Sequence, residues 1–205
     1  MAELIYLIDS GHGGLINNVY QTAPNKMYRH SEDNSIAYEG VTNREIKYRV
    51  FKQFDLRGIK YIDICPTQLD VDLDARCNII NTYCREYGKN NCLLISLHMN
   101  AGKGEGFEIW TSPGASKSDK YADQFMYFYE QYFPYHKLRK DMADGDVDKE
   151  SPFYILVNSI CPAILPEWLF FDNFHDWQIQ RDPLMQDKYA KMIAGFCQEM
   201  MFKPY

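Results

Sequence analysis

The sequence predicts one α/β domain, residues 1–205, with a largely parallel or mixed twisted sheet of about six strands flanked by helices. Apolar runs such as Leu4–Ile8 and Leu93–Leu97 have the length and composition of buried strands. Helical patterns alternate with these runs, and strands that alternate with helices favour a parallel sheet. The length of 205 residues is enough for one domain with a sizeable core.

The remaining elements are predicted from shorter patterns. Further strands are expected at Ile59–Cys65, Gly106–Ser112, Phe153–Val157 and Ile164–Phe171. Helices are expected to begin at Thr42, whose spacing to Glu45 matches a capping box, after Asp72, near Ser118 and after Asp182. Because proline cannot donate to a β ladder, Pro166 indicates a sheet edge or an irregular ladder for the last strand. The segments Leu15–Tyr38 and Asp141–Ser151 are interpreted as a long loop and as solvated surface.

Charge and composition exclude two classes of partner. The formal net charge of −6 argues against nucleic-acid binding, which needs a basic face. No apolar run reaches the roughly 18 residues of a membrane span, so we expect no membrane insertion. The six cysteines are scattered without Cys-x-x-Cys pairs, and no signal peptide is seen. We therefore expect reduced, structural thiols.

Two histidines follow predicted strands. The first strand runs into the segment Asp9–Gly14, which contains His12 between glycines, and the run that ends at Leu97 is followed by His98. The carboxyl ends of parallel strands meet at one edge of a sheet, where α/β proteins form their sites. Glu39 lies just before the predicted helix start, outside its regular turns. A His/His/Glu set that leaves a fourth position for water is the pattern of catalytic zinc sites.

Glu167 is the candidate for proton transfer. Zinc suits amide hydrolysis because it lowers the pKa of bound water and polarises a carbonyl oxygen. A carboxylate that does not bind the metal is then needed to move the proton to the leaving amine. Glu167 stands alone in an aromatic and apolar run, which makes it the best candidate.

Each of these residues also has a structural interpretation. Either histidine alone fits a hydrogen-bonding role in a loop, Glu39 fits a favourable helix start, and Glu167 fits an ion pair. The spacing is too wide for a local signature such as His-Glu-x-x-His. The residues by themselves therefore support a suspected metal site and no specific reaction.

Several segments resemble the zinc-dependent N-acetylmuramoyl-L-alanine amidases, the family of bacterial cell-separation amidases and many phage endolysins. The matching segments, in family order, are Asp9–Gly14, Glu39 with Asn43, Asp74–Arg76 with Asn81, Ser96–Ala101, Gly106–Trp110 and Pro162–Glu167. By this resemblance His12, Glu39 and His98 match the zinc ligands, and Glu167 matches the catalytic glutamate. Asn100 and Arg76 are expected to assist substrate binding.

The resemblance implies cleavage of the amide between N-acetylmuramic acid and L-alanine, so we expect peptidoglycan as partner and Zn²⁺ as cofactor. Two alternatives stay open on the same fold. One is a non-catalytic wall-binding or regulatory protein, and the other is a zinc peptidase that cuts within the stem peptide. With no separate cell-wall-binding domain seen, we expect a monomeric phage or prophage lysin. Such a lysin is cytoplasmic until release, or the enzyme is extracellular if the chain has been trimmed.

The chain departs from the family pattern near Glu167. The family usually has glycine where Leu169 stands, and a β-branched or small apolar residue where Pro166 stands. These departures suggest an unusual substrate groove.

Four further residues have candidate roles. Trp110 and Tyr38 lie beside motif residues and are candidates for lining the groove. Trp168 is expected in the core. His30, in the long loop, is a competing candidate for a metal ligand.

Overall fold

The computed structural model describes residues 4–143 and 145–202, whose strands form one six-stranded sheet and two small hairpins. In chain order the strands are β1 (Ile5–Ser10), β2 (Leu15–Ile16), β3 (Val19–Tyr20), β4 (Met27–Arg29), β5 (Ile36–Tyr38), β6 (Tyr61–Asp63), β7 (Cys92–Asn100), β8 (Glu108–Thr111), β9 (Lys149–Glu150) and β10 (Ala163–Phe170). The helices are α1 (Glu39–Arg57), α2 (Leu73–Tyr87), α3 (Lys117–Tyr132), α4 (Tyr154–Asn158), α5 (Phe174–Gln180) and α6 (Pro183–Phe202).

The large sheet is mixed and has the strand order β6-β1-β7-β10-β8-β9. Its neighbours pair in parallel except for β10 and β8, which are antiparallel. Helices pack on both faces of the sheet. The predicted fold class is therefore confirmed. None of the helices in the described part of the chain is long and apolar enough to cross a membrane.

The two faces of the sheet are covered unequally. Helices α1, α3 and α6 bury Phe54, Phe125 and Phe196 against one face. On the other face, α2 and the short α4 bury Ile80 and Leu156 over the first half of β7 and β10. The second face therefore has a lightly covered part near the carboxyl end of β7.

Side chains of β7 that point to this second face change from apolar to polar along the strand. Residues two apart in a strand point to the same face. Cys92 and Leu94 join the apolar cluster under α2, and Ser96, His98 and Asn100 continue the same row. The end of the row is where a polar site can form.

β10 is a central strand, so of the two alternatives indicated by Pro166 the sheet edge is wrong and the irregular ladder is confirmed. It lies between β7 and β8, and every residue in it except Glu167 is buried. Pro166 pairs with Ile109 of β8, and the register with β7 shifts between Glu167 and Phe170. Burial of a nearly continuous apolar run outweighs the one ladder donor that proline lacks.

The predicted strand at Phe153–Val157 is also wrong, because residues Tyr154–Asn158 form α4. Its two buried residues, Ile155 and Leu156, are adjacent in sequence. A strand covered on one face would bury alternate residues. The sequence prediction also lacks α5, whose first turn is capped by the Asn173 side chain.

α1 begins at Glu39, earlier than the capping-box prediction placed it. The Thr42 hydroxyl donates to the Tyr38 carbonyl oxygen at 3.3 Å, so Thr42 lies in the first turn and does not cap it. Threonine hydroxyls can bond in this way to the carbonyl four residues earlier. Glu39 is therefore held in a regular helical turn, which fixes the direction of its side chain.

The two segments expected to be loop and surface contain regular structure. Leu15–Tyr38 folds into the hairpins β2–β3 and β4–β5. In the acidic segment, β9 pairs with β8, and Asp148 is buried with its Oδ2 2.5 Å from the donating Thr111 hydroxyl. The interpretation of Asp141–Ser151 as solvated surface is therefore wrong for its second half. The six cysteines are buried and free, as expected.

The buried Asp148 predicts a pH dependence of stability. Burial and the neighbouring Asp146 raise the pKa of Asp148 to about 7, although the Thr111 hydroxyl opposes the shift. Because the folded chain holds this proton more tightly than the unfolded chain, the contribution to stability is present below about pH 4 and is lost as the pH rises through 7. From pH 5 to pH 8 the free energy of unfolding of Asp148→Asn, measured relative to wild type, is expected to rise by about 1–3 kcal/mol. The estimate follows because one pKa unit corresponds to about 1.4 kcal/mol.

Urea unfolding at the two pH values measures this difference. Asp141→Asn, at an exposed position of the same segment, is the matched control and should follow the wild type. Parallel curves for wild type and Asp148→Asn across this pH range would contradict the prediction.

Candidate active site

His12 lies in a tight loop directly after β1 and has a φ of 64°. This left-handed conformation is uncommon for residues other than glycine, so the loop needs support. Arg44 Nη1 and Arg76 Nη2 donate to the His12 carbonyl oxygen at 2.6 and 3.5 Å. The Gly13 amide donates to Thr22 Oγ1 at 2.8 Å. Two arginines and a threonine thus hold the backbone that carries the imidazole.

Arg76 is anchored in turn by Asp9 of β1. Arg76 Nη1 lies 2.7 Å from Asp9 Oδ1, and both side chains are buried. The Ser96 hydroxyl donates to Asp9 Oδ2 at 2.7 Å. Burial alone would raise the pKa of Asp9, but Arg76 and Ser96 outweigh it and hold this pKa below its ordinary value. The structure therefore places Arg76 beneath the loop of His12.

Glu39 brings the two histidines together. Glu39 Oε1 lies 3.3 Å from His12 Nε2 and 3.0 Å from His98 Nδ1. The two imidazole rings meet edge to face with their centroids 5.1 Å apart. One ligand atom from each of the three residues lies within 4.8 Å of the others. The predicted ligands thus converge on one point, and their side chains could hold a metal ion.

The protonation states of these side chains suit a metal. Burial lowers the pKa of His12, which leaves a nitrogen lone pair available. Burial alone would raise the pKa of Glu39, but the contacts with His12 and His98 outweigh it and keep this carboxyl ionised. Within the described residues, His12 Nε2 and Glu39 Oε2 are buried and have no hydrogen-bond partner. Lys26 Nζ lies 3.6 Å from Glu39 Oε2, at ion-pair distance.

Glu167 stands between His98 and Glu108 in a row across three strands. It pairs with His98 of β7 on one side and with Glu108 of β8 on the other. Paired residues of neighbouring strands point to the same face of a sheet. Burial and the charge of Glu39 raise the pKa of Glu167 well above its ordinary value. Its Oε2 is buried and has no hydrogen-bond partner in the part of the chain that is described.

Glu108 is a buried carboxylate surrounded by donors. Its Oε1 accepts from Asn100 Nδ2 at 2.6 Å and from Trp110 Nε1 at 3.1 Å. Its Oε2 accepts from Arg139 Nε and Lys149 Nζ, both at 2.7 Å. Glu108 therefore fixes the amide of Asn100 on the face that also carries Glu167.

Comparison with known proteins decides the family. Residues 7–198 match the Amidase_3 family, described as N-acetylmuramoyl-L-alanine amidase. The chain belongs to this amidase family. An endolysin of Bacillus phage SPP1 is 24% identical in an alignment of 205 positions that covers 99% of the chain and 68% of that endolysin. The N-acetylmuramoyl-L-alanine amidase CwlM of Bacillus licheniformis is 31% identical over 108 residues, which are 52% of the chain and 37% of CwlM.

The fold of this amidase matches a solved structure. The N-acetylmuramoyl-L-alanine amidase from Clostridium difficile 630 superposes with a TM-score of 0.78 and 22% identity, and the match covers 100% of both chains. The predicted family and class of enzyme are therefore confirmed. The roles of individual residues stay predictions.

Leu169 stands where the family usually has glycine, and its packing explains how a leucine is accommodated there. It has a φ of 65°, the left-handed region that favours glycine, and its side chain is buried. That conformation costs a residue with a Cβ about 1–2 kcal/mol, and burial of a leucine side chain contributes about 1.5–3 kcal/mol. Core packing therefore offsets the strain, and the backbone after Glu167 follows the path that glycine would take.

Two residues near the point where His12, Glu39 and His98 converge were missed in the sequence. Arg44 follows the matched Asn43, but nothing in the sequence shows that its side chain reaches the His12 carbonyl. Lys26 belongs to a segment without periodicity, and only the β4–β5 hairpin brings it to Glu39.

The other candidate residues lie as follows. Trp168 is fully buried, as expected. Trp110 is partly buried beside Glu108, and Tyr38 packs on Tyr20 just before α1. His30 is buried with its Nε2 3.0 Å from the Phe171 carbonyl oxygen, outside the group of ligand atoms around Glu39.

Gly11 allows the close approach of His98, so Gly11→Ala is expected to displace that ring. A Cβ at Gly11 would lie 2.2 Å from His98 Cε1. We expect a loss of about 1–3 kcal/mol in the free energy of unfolding from overpacking. Hydrolysis of purified cell walls should fall by about tenfold or more, because a misplacement of about 1 Å can cost 10²-fold.

Gly195→Ala in α6 is the control, because its Cβ would meet neighbours only at 3.5 Å. Denaturant unfolding and wall hydrolysis measure the two effects. Wild-type activity in Gly11→Ala would show that His98 does not need this approach.

Proposed function

We propose that this amidase uses zinc to hydrolyse the bond between N-acetylmuramic acid and L-alanine in peptidoglycan. His12, Glu39 and His98 hold the zinc ion, and Glu167 transfers the proton. The observation that carries the proposal is the convergence of these three ligands beside Glu167, which pairs directly with His98.

The donor set fits zinc. Two imidazole nitrogens and one carboxylate oxygen are common catalytic zinc ligands. Zinc–ligand bonds of about 2.0–2.1 Å in tetrahedral geometry place two ligand atoms about 3.3 Å apart. The separations from Glu39 Oε1 to the two histidine nitrogens are 3.3 and 3.0 Å. The buried His12 Nε2, which has no hydrogen-bond partner in the described chain, is further support for a cation there.

Bound zinc supplies a Lewis acid that polarises the scissile carbonyl and lowers the pKa of water. Glu167 provides what the ion cannot, a site that accepts a proton from water and returns it to the nitrogen of L-alanine. Its free Oε2 is the atom for this transfer.

Asn100 and Arg76 have different proposed contributions to substrate binding. Asn100 is partly exposed on the face of Glu167, where its amide can meet a substrate carbonyl. Arg76 lines a recess of about 240 Å³ together with His12 and His98. Most of its donors are used on Asp9, Ser10 and Val71. We assign Arg76 mainly to holding the His12 loop and only secondarily to contact with substrate.

We also propose that the protein works as a lysin on the cell wall. The similarity to a phage endolysin supports this setting. The ligands and the proton-transfer residue come from one chain, so a monomer suffices for the reaction.

Glu167→Gln is expected to remove hydrolysis and to keep the metal. The amide has a similar shape but cannot carry the proton, and loss of general acid–base catalysis costs about 10²–10⁴-fold. Release of L-alanine amino termini from purified walls measures the rate, and metal analysis measures bound zinc. Glu86→Gln, at an exposed position of α2, is the matched control. A Glu167→Gln protein with wild-type turnover would exclude Glu167 from proton transfer.

Removal of the metal is expected to stop the reaction reversibly. A chelator should abolish wall hydrolysis, and added Zn²⁺ should restore it. His12→Ala and His98→Ala should retain well below one zinc per chain, because each removes one of three protein ligands. Mass analysis of the digest should find glycan strands free of peptide. Cut stem peptides would instead indicate a peptidase, and zinc binding without any product would indicate a wall-binding protein.

A further inference from the structure

We propose that Arg139 and Lys149 form a subsite for a carboxylate of the stem peptide, on the side of Glu167 that faces away from His12. The inference rests on the proposed function, because it assumes that the scissile amide lies between the zinc ligands and Glu167. Arg139 and Lys149 would recognise the part of the peptide that lies beyond L-alanine.

The strand order sets the direction of the groove. His12 after β1, His98 on β7 and Glu167 on β10 follow the order in which these parallel strands neighbour one another. Glu108 comes next, at the start of β8, because β8 is antiparallel to β10. Lys149 continues the series on β9, where it pairs with Trp110. A substrate that crosses the strands at the zinc ligands therefore has Glu108 and its cations next in its path.

Glu108, Arg139 and Lys149 together carry one positive charge, although the whole chain has a net charge of −6. Glu108 contributes one negative charge, and Arg139 and Lys149 contribute two positive charges that both contact its Oε2. The side chains of Arg139 and Lys149 stay 33% and 21% exposed, whereas that of Glu108 is 5% exposed. The buried carboxylate thus orients two cations that face solvent.

Arg139 keeps part of its donor fork available. Only its Nε is used on Glu108, and the guanidinium lies 5.1 Å above the Phe170 ring, which fixes its plane. Both Nη atoms remain for a ligand among the contacts in the described chain. A guanidinium with two free terminal nitrogens matches a carboxylate in a bidentate manner.

The distance fits the chemistry of the stem peptide. Neighbouring strands lie about 4.8 Å apart, so Glu108 is about one strand spacing from Glu167. The nitrogens of Arg139 and Lys149 that contact Glu108 lie 2.7 Å from its Oε2. A peptide advances about 3.3–3.6 Å per residue. The second stem residue is a glutamate linked through its side chain, and its free carboxylate falls about two residues from the scissile nitrogen. The subsite therefore fits that carboxylate.

Two disaccharide–tripeptide substrates test the inference, one with the free carboxylate at the second residue and one with the same group amidated. We expect the kcat/KM of wild type to be about tenfold higher for the acid than for the amidated substrate. The reason is that charge-assisted hydrogen bonds are stronger than neutral ones. Arg139→Gln should reduce this ratio to about one, because the acid then loses its advantage over the amidated substrate. Arg139→Lys should keep part of the preference.

Lys140→Gln is the matched control, because it removes the same charge one residue away, at a side chain that pairs with Glu130. It should keep the wild-type ratio. Equal kcat/KM values for the two substrates in wild type would overturn the inference. Equal slowing of both substrates by Arg139→Gln would also overturn it, since the arginine would then only support Glu108.

A binding measurement distinguishes failure of this inference from failure of the proposed function. Calorimetry with the free acid and amidated stem tripeptides should find tighter binding of the acid to wild type and no difference for Arg139→Gln. If neither disaccharide substrate is hydrolysed but the acid peptide still binds more tightly, the subsite stands and the proposed function fails. If hydrolysis proceeds without any acid preference, the proposed function stands and the subsite fails.

Discussion

The buried ion pair between Asp9 and Arg76 is the interaction on which the site depends. A buried pair costs desolvation of both charges and persists only with further hydrogen bonds. Ser96 and the carbonyl oxygens of Val71, Ser10 and His12 supply these bonds. The same guanidinium therefore joins the end of β1, the start of α2 and the loop of His12. The left-handed backbone of His12 is kept by this network and by Arg44.

Much of the fold was predictable because its strong signals are local. The runs that became β1 and β7 are nearly continuous apolar segments, and the histidines follow them closely in sequence. Parallel strands then place both histidines at one edge. The two histidines, Glu39 and Glu167 were candidates from local patterns alone. Only the resemblance to a family gave each of the four its expected role.

The wrong predictions come from places where tertiary packing outweighs a local rule. Pro166 lies in a central strand because the run around it is buried on both faces. Thr42 has the spacing to Glu45 of a capping box, but its hydroxyl donates to the carbonyl oxygen of Tyr38, one turn earlier. Other contacts join residues far apart in sequence, and no local pattern predicts them. Examples are the contacts of Arg44, Lys26 and Arg139.

The placement of β10 has a consequence for folding. The last strand in the sequence inserts between β7 and β8, so a chain still on the ribosome without residues 163–170 has a sheet in two separate parts. Its contacts join distant residues, which makes their formation slow relative to local structure. The strand that completes the sheet also carries Glu167. The side chain proposed for proton transfer therefore reaches its position only when the sheet closes.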